Sequence, residues 1–416
     1  MERIVEPSYV KGQIKAPSSK SMTQRAIAAA ILAKGQSTIV NPSYCDDSLA
    51  AIGIAVGLGA QIQSESDHMK IIGCGELKET KLNCGESGLA IRMFSPIVAL
   101  HPVEITLVGT GSLKRRPMFM IGDALDQMGV KCISTDGFLP LTIKGPLKGG
   151  HCEIDGSLSS QVLTGLLMAL PLTAENSEIL VNNLKSKPYI DMTIQILREF
   201  GITVSHESYE LFRIPGKQKY IARSYEVEGD WSGGAFLLVA GAINGQLIIS
   251  GLRSDSKQSD RAIIDAIERA GAKTKTVENI IEVSKSPLKA FDFDATESPD
   301  LFPPLVALAS YCIGETRIKG VSRLVHKESN RAIALVEEFS KLGINIKVSG
   351  DLMIVSGGQV KGAHVYSHDD HRIAMAAAIA ALGSTGKVFI KDSHSIAKSY
   401  PGFFEDLGKI GAVVHE

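Results

Sequence analysis

The chain has 416 residues, too many for one ordinary core, so two domains are expected. Hydrophobic residues at 44% and charged residues at 21% exclude a disordered or fibrous chain, and a formal net charge of −1 excludes a broad nucleic-acid footprint. The start, Met1 to Pro7, has no basic stretch leading into an apolar segment, and the longest apolar runs, Ala26 to Ala33 and Ile373 to Leu382, are short of a membrane span; a cytoplasmic protein with no membrane partner is expected.

Taken in chain order, the sequence repeats one cassette. A loop of Gly, Ser, Asp or Glu opens a helix rich in small apolar residues; a β-branched strand follows, then a second amphipathic helix that ends in Gly before another strand. After an opening strand, Arg3 to Val10, that fits either domain, the helix-opening stretches are Ser18 to Ser21, Gly85 to Gly88, Gly156 to Ser160, Gly229 to Ser232, Glu297 to Asp300 and His368 to His371. Their spacing of roughly 70 residues is too long for a solenoid unit. The second helices close on Gly59, Gly129, Gly201, Gly271, Gly343 and Gly411, each suited to the left-handed position that stops a helix. Six α/β units of β-α-β-α-β type make two domains of three units each, 14–228 in one and 1–13 with 229–416 in the other, with a cleft between them.

Helices such as Ala26 to Leu32 and Ala374 to Ala380 carry small residues on every side, so they are expected to be buried all round with their N-termini at one face of the domain. Several helix N-termini at one face form an anion-binding surface from free N–H groups and partial positive charge. The six cysteines, Cys45, Cys74, Cys84, Cys132, Cys152 and Cys312, have no C-x-x-C pair and read as small buried hydrophobes, not as a zinc site or disulfide framework.

The loops hold more cations than capping needs: Lys20, Arg25, Arg92, Lys114, Arg115, Arg116, Lys327, Arg331, Arg372 and Lys398. Two readings stand, solvated surface charge or a grip for two multivalent anions, since Arg suits bidentate capture of carboxylate and phosphate while Lys brings a compact charge. Ser159-Ser160-Gln161 is either an N-cap or a neutral donor set for a phosphate. His368-Asp369-Asp370-His371 invites a metal reading, but four consecutive side chains at a turn do not converge and Arg372 repels a cation, so no metal or cofactor is expected. Gly109-Thr110-Gly111 lacks the third Gly and the Lys-Ser/Thr ending of a nucleotide loop.

The run Lys15 to Ala26, with Gly85 to Arg92, Lys114 to Pro117, Asp155 to Gln161, Ser186 to Asp191, Val325 to Arg331, Asp370-His371-Arg372 and Ala397 to Pro401, resembles the 3-phosphoshikimate 1-carboxyvinyltransferase (5-enolpyruvylshikimate-3-phosphate synthase) family over the whole chain. The resemblance implies a two-domain inside-out α/β barrel built from six βαβαββ-type repeats. It implies transfer of the enolpyruvyl group of phosphoenolpyruvate to the 5-hydroxyl of shikimate 3-phosphate, with phosphate released through a tetrahedral ketal, by a monomer. On the same ground Lys20, Ser21, Arg25, Ser159, Ser160, Gln161, Ser186, Asp300 and Lys327 are expected to contact shikimate 3-phosphate, and Lys20, Gly88, Arg116, Gln161, Arg331, Arg372 and Lys398 phosphoenolpyruvate.

Both steps of such a reaction move protons. Asp300 is expected to take the proton of the attacking hydroxyl, and Glu328, lifted by crowding anions, to protonate C3, with Lys20 and Lys398 stabilising phosphate charge and sharing proton traffic. A helix cap after Pro299 is the other reading of Asp300. Glu86, Met93 and Arg323 stand where the family often has Asn, Pro and Asn; Glu86 near anions needs a pairing cation. Gly88 leaves space beside phosphoenolpyruvate and implies sensitivity to glyphosate. A sister enzyme acting on UDP-N-acetylglucosamine would carry a Cys in the loop that here reads Gly111 to Arg116. A non-catalytic anion-binding module gains nothing from Asp300 and Glu328 among its cations.

Overall fold

The computed structural model describes residues 1–73 and 75–416, and divides into two units, Ser18–Val227 and Met1–Pro17 with Glu228–Glu416. Cys74 lies outside the described residues. The crossings fall after Pro17 and Val227, not after residues 13 and 228, because Val10–Lys15 pairs in parallel with Gly245–Ser250 and keeps residues 14–17 with the later unit. The opening strand is likewise two strands: Glu2–Val5 pairs with Val388–Lys391, and Val10–Lys15 starts another sheet.

The unit Ser18–Val227 holds helices α1 (Lys20–Leu32), α2 (Asp46–Gly57), α3 (Gly88–Val98), α4 (Phe119–Gln127), α5 (Gln161–Ala169) and α6 (Lys187–Glu199). Its three four-stranded sheets run, edge to edge, Ser224–Glu226, Gln36–Val40, His68–Ile72, Gln61–Ser64; then Lys81–Asn83, Glu104–Val108, Phe138–Lys144, Lys131–Thr135; then His151–Asp155, Ser177–Asn182, Leu211–Ile214, Ser205–Glu207. In each sheet the first two strands are parallel and the others antiparallel. A parallel pair needs a crossover, and α3 and α5 supply it in the second and third sheets, whereas the first pair joins strands from near the two ends of the unit.

The other unit follows the same plan with α7 (Trp231–Asn244), α8 (Ile263–Arg269), α9 (Phe302–Ala309), α10 (Arg331–Lys341), α11 (His371–Ala381) and α12 (Phe403–Lys409). Its sheets begin with the parallel pairs Val10–Lys15 and Gly245–Ser250, Asp292–Asp294 and Glu315–Lys319, and Ala363–Tyr366 and Val388–Lys391. Both units are therefore mixed-sheet α/β.

Crossover helices are the small-residue ones, and they are buried all round: every residue of α3, α9 and α11, and all of α7 except Ser232 and Asn244. Small side chains let backbones approach closely there. A Cβ on Gly165 of α5 would lie 2.6 Å from the Met93 carbonyl oxygen and 2.9 Å from that of Arg92 on α3. The second helices stop as expected, with Gly59, Gly129, Gly201, Gly271, Gly343 and Gly411 all at positive φ. Cys45, Cys84, Cys152 and Cys312 are buried, but Cys132 is only half-buried.

Gly165→Ala should separate α3 from α5 and lower stability by about 1–3 kcal/mol, the usual effect of overpacking. A urea midpoint equal to that of the parent chain would show that the helices do not need this approach.

Candidate active site

In the unit Ser18–Val227 the N-termini of the crossover helices carry the expected side chains. Ser19 caps α1 by accepting from the Met22 N–H, and Lys20, the first helical residue, extends its Nζ to Asp47 Oδ2 at 2.8 Å. Arg25 is buried. Its Nε donates to Thr193 Oγ1 (3.0 Å), Nη1 to the Ser21 carbonyl (3.0 Å) and Nη2 to the Tyr189 carbonyl (3.3 Å). Burial pulls this guanidinium down to about 10, which leaves it charged at neutral pH. Thr193 continues to Thr164 Oγ1 (3.1 Å), whose hydroxyl donates to the Ser160 carbonyl (3.3 Å), so α1, α5 and α6 interlock through a buried polar chain.

A second cluster joins α3, α5 and the 111–116 loop. Ser87 caps α3 and donates to Gln24 Oε1 of α1 (3.1 Å). Arg92 Nη1 donates to Gln161 Oε1 (2.9 Å) and Nη2 to the Pro117 carbonyl (3.3 Å). A Cβ on Gly88 would lie 2.7 Å from Arg116 Nη1, 3.0 Å from Arg92 Nη1 and 3.7 Å from Gln161 Oε1, so three donor-bearing side chains crowd one glycine. The Lys20 ammonium pairs with Asp47. Ser160 is the N-cap of α5 without a side-chain capping bond, whereas the Ser159 hydroxyl accepts from the Gln161 N–H at 3.2 Å. Ser186 precedes α6 in the left-handed region, φ 58.

Glu86 accepts from the Ser112 N–H and from the Ser112 hydroxyl, both at 2.8 Å, so hydrogen-bond donors of the loop steady it.

In the other unit Asp300 sits in a 3-10 turn, Pro299–Leu301, at the entry to α9, where the turn shows no side-chain cap; the capping reading fails. Its Oδ1 meets Arg331 Nη1 (2.6 Å) and Lys327 Nζ (3.2 Å), and its Oδ2 meets Arg372 Nη2 (3.2 Å). Arg331, only 1% exposed, also bonds Glu328 Oε2 (2.6 Å) and Asp370 Oδ2 (2.8 Å). Asp370 caps α11 through the Arg372 N–H (3.0 Å) and accepts from the Ser329 hydroxyl (3.0 Å). Lys398 Nζ donates to the Asp369 carbonyl at 2.7 Å. Asp300, Lys327, Glu328, Arg331 and Arg372 are thus one cluster, which Lys398 joins through the turn at Asp369.

The electrostatics follow from that packing. Burial by itself would raise Asp300, but Arg372, Lys327 and Arg331 hold its carboxyl well below the usual range. Burial pulls Lys327 down, while Asp300 opposes it. The fully buried Asp260 goes the other way: burial first, then the Asp300 charge, pushes it up to about 6 against the pull of Arg372 and the Ser232 hydroxyl. Asp47 and Asp260 were not singled out from the sequence, and Asp370 was named there only within the runs His368 to His371 and Asp370 to Arg372. Asp46 and Asp47 in the first turn of α2 offered the only local signal, since an acid there suits the helix dipole anyway.

Mixed α/β units whose buried helices open onto clustered Arg, Lys and hydroxyl groups define an anion-binding α/β protein with acids set among its cations. The family model for EPSP synthase (3-phosphoshikimate 1-carboxyvinyltransferase) matches residues 4–407, and the chain belongs to this family. A 3-phosphoshikimate 1-carboxyvinyltransferase of Clostridium perfringens is 38% identical over 417 residues, covering 99% of this chain and 98% of the relative. One of Clostridium novyi is 38% identical over 430 residues, covering 100% and 99%. Among solved structures, EPSP synthase from Acinetobacter baumannii aligns with a TM-score of 0.85 and 25% identity over 100% of both chains. The enolpyruvyl transferase NikO from Streptomyces tendae, at 19% identity and TM-score 0.81 over 100% of this chain and 98% of its own, shares the fold.

Asp260 has a folded-state value above its ordinary 3.8, so its contribution to stability is full at low pH and is lost as pH rises through about 6. Asp260→Asn removes that loss. The urea midpoint of the variant should therefore improve relative to the parent as pH rises from about 4 to about 6 and level off above that; a difference constant from about pH 4 to 8 would show that another group titrates.

Proposed function

We propose that the chain transfers the enolpyruvyl group of phosphoenolpyruvate to the 5-hydroxyl of shikimate 3-phosphate and releases phosphate. It is an enzyme of the shikimate pathway, which serves aromatic amino acid biosynthesis, as membership of the family and relatives 38% identical over their full length support. The observation that carries the chemistry is a carboxylate, Asp300, held among Lys327, Arg331 and Arg372. A module that only bound anions would lose affinity from acids at that spot.

Shikimate 3-phosphate is read as the ligand of Lys20, Ser21, Arg25, Ser159, Ser160, Gln161, Ser186, Asp300 and Lys327. Phosphoenolpyruvate is read as the ligand of Lys20, Gly88, Arg116, Gln161, Arg331, Arg372 and Lys398. With three cations on it, Asp300 is too acidic to take a proton. When those cations turn to substrate phosphate and carboxylate, the carboxylate regains proton affinity and can accept the proton of the 5-hydroxyl as that oxygen attacks C2. Glu328, paired with Arg331 in the same cluster, is released by the same exchange, takes up a proton from solvent as the substrate anions raise its proton affinity, and delivers it to C3. Elimination then returns the C3 proton to a base and expels phosphate, with Lys20 and Lys398 offsetting its charge.

We read the fold as the two-domain inside-out α/β barrel of six βαβαββ repeats; six four-stranded sheets, each with one parallel and two antiparallel pairings, support this. Cytoplasmic placement and a monomeric state belong to the same proposal. Among the described residues no helix is long and apolar enough to cross a membrane.

Phosphate release should occur with phosphoenolpyruvate plus shikimate 3-phosphate, and not with UDP-N-acetylglucosamine or without an acceptor; release with the nucleotide sugar would reassign the acceptor. Asp300→Ala should lower turnover by about 10²–10⁴-fold, the span of general base catalysis, while both ligands still bind. Near-normal turnover would remove Asp300 as the base. Glyphosate should compete with phosphoenolpyruvate, and non-competitive behaviour would contradict the assignment of Gly88.

A further inference from the structure

Helix α10 carries two buried charged residues on one face. Arg331 is its first residue and Glu338 stands two turns later, and each is 1% exposed. Arg331 bonds Asp370, as described. Glu338 Oε2 accepts the Tyr366 N–H at 2.8 Å, and its Oε1 meets His368 Nε2 at 2.7 Å. The Lys341 ammonium bonds both Glu338 oxygens, at 2.8 and 2.7 Å, which offsets the burial of the carboxylate. The segment 366–370 is thus docked on α10 at two points.

Between those points the backbone is in a conformation that side chains rarely adopt. His368 and Asp369 have φ of 54° and 53°. A left-handed non-glycine residue is strained and persists only where its surroundings determine it. Here the surroundings are Glu338 on His368, the Tyr366 ring 4.8 Å from the imidazole, and the Ser367 hydroxyl on the Asp392 carbonyl at 2.9 Å. What the turn presents is functional: the Asp369 carbonyl holds Lys398, and the Asp370 carboxylate holds Arg331 and caps α11 ahead of Arg372.

We propose that His368 and Glu338 are positioning residues for the cationic grip on phosphoenolpyruvate: they latch the 368–370 turn so that Lys398, Arg331 and Arg372 keep their places. This rests on the reading of those three cations given above. Glu337, Glu338 and His368 also come within 4.8 Å of one another, near enough to share a small cation. The Lys341 ammonium already sits on both Glu338 oxygens, so the cluster is built as a latch. Neither residue touches substrate in this account; each acts through the turn.

The test uses the full chain with His368→Ala, His368→Asn and Glu338→Gln. The Michaelis constants for the two substrates are measured separately, and amide hydrogen exchange is followed across 366–372. His368→Ala should speed exchange there and raise KM for phosphoenolpyruvate about tenfold, leaving that for shikimate 3-phosphate within about twofold. His368→Asn, whose amide can donate to Glu338 and which tolerates a left-handed backbone, should restore most of the loss. Unchanged exchange, or faster exchange with an unchanged KM for phosphoenolpyruvate, or an equal rise in both constants, would overturn the latch. If Glu338→Gln does not fold, the two His368 variants decide. A parent chain that releases no phosphate would instead overturn the functional reading, while the exchange rates still report whether His368 holds the turn.

Discussion

A guanidinium 1% exposed and surrounded by three carboxylates is the constraint on which the unit Met1–Pro17 with Glu228–Glu416 depends. Desolvating Arg331 alone would cost several kcal/mol, and removing one partner of such a buried set typically costs about 3–5 kcal/mol. Asp300, Glu328 and Asp370 come from the entry to α9, the loop before α10 and the cap of α11, so one side chain ties three helix starts together. The arrangement is also the reason Asp300 is so acidic, and a carboxylate held that low regains proton affinity only when its cations find other anions. In the function proposed above, electrostatics therefore couple substrate capture to the appearance of a base.

The unit Ser18–Val227 answers a similar demand with neutral groups. Arg25 is buried with hydroxyl and carbonyl partners, and the chain through Thr193 and Thr164 to Ser160 joins α1, α5 and α6. These partners satisfy the guanidinium's hydrogen bonds without cancelling its charge, so the positive field remains for an anion. Small residues make this possible. Because Gly165 of α5 lies against the Met93 and Arg92 carbonyls, the crossover helices approach closely enough for their first turns to share one network.

The family resemblance rested on residues that recur as short runs, and those runs are where the helix starts carry their charges. Lys327, Glu328 and Arg331 are visible together because they are neighbours in sequence. Asp370 was visible in a run that suggested metal ligands and in the Asp370-His371-Arg372 run of the resemblance, without a role, and its side chain caps α11 and bonds Arg331. Glu86 looked unfavourable beside anions, yet Ser112, 26 residues on, supplies two donors. Asp260 and Glu338 gave no signal, since a lone acid in an amphipathic stretch reads as solvated surface until its burial is known.

Alternation, helix period, capping residues and terminal glycines act within a few residues of one another, so the sequence alone determined the α/β class, the recurring cassette, its helix starts and stops, and the types of charge gathered there. Which carboxylate meets which cation was decided by tertiary structure, because Lys20 and Asp47, or Asp300 and Arg372, meet only after intervening helices and strands have packed. The same holds for the crossing at Pro17: Val10–Lys15 belongs to the later unit because its hydrogen bonds go to Gly245–Ser250, a pairing across more than half the chain that no local pattern encodes.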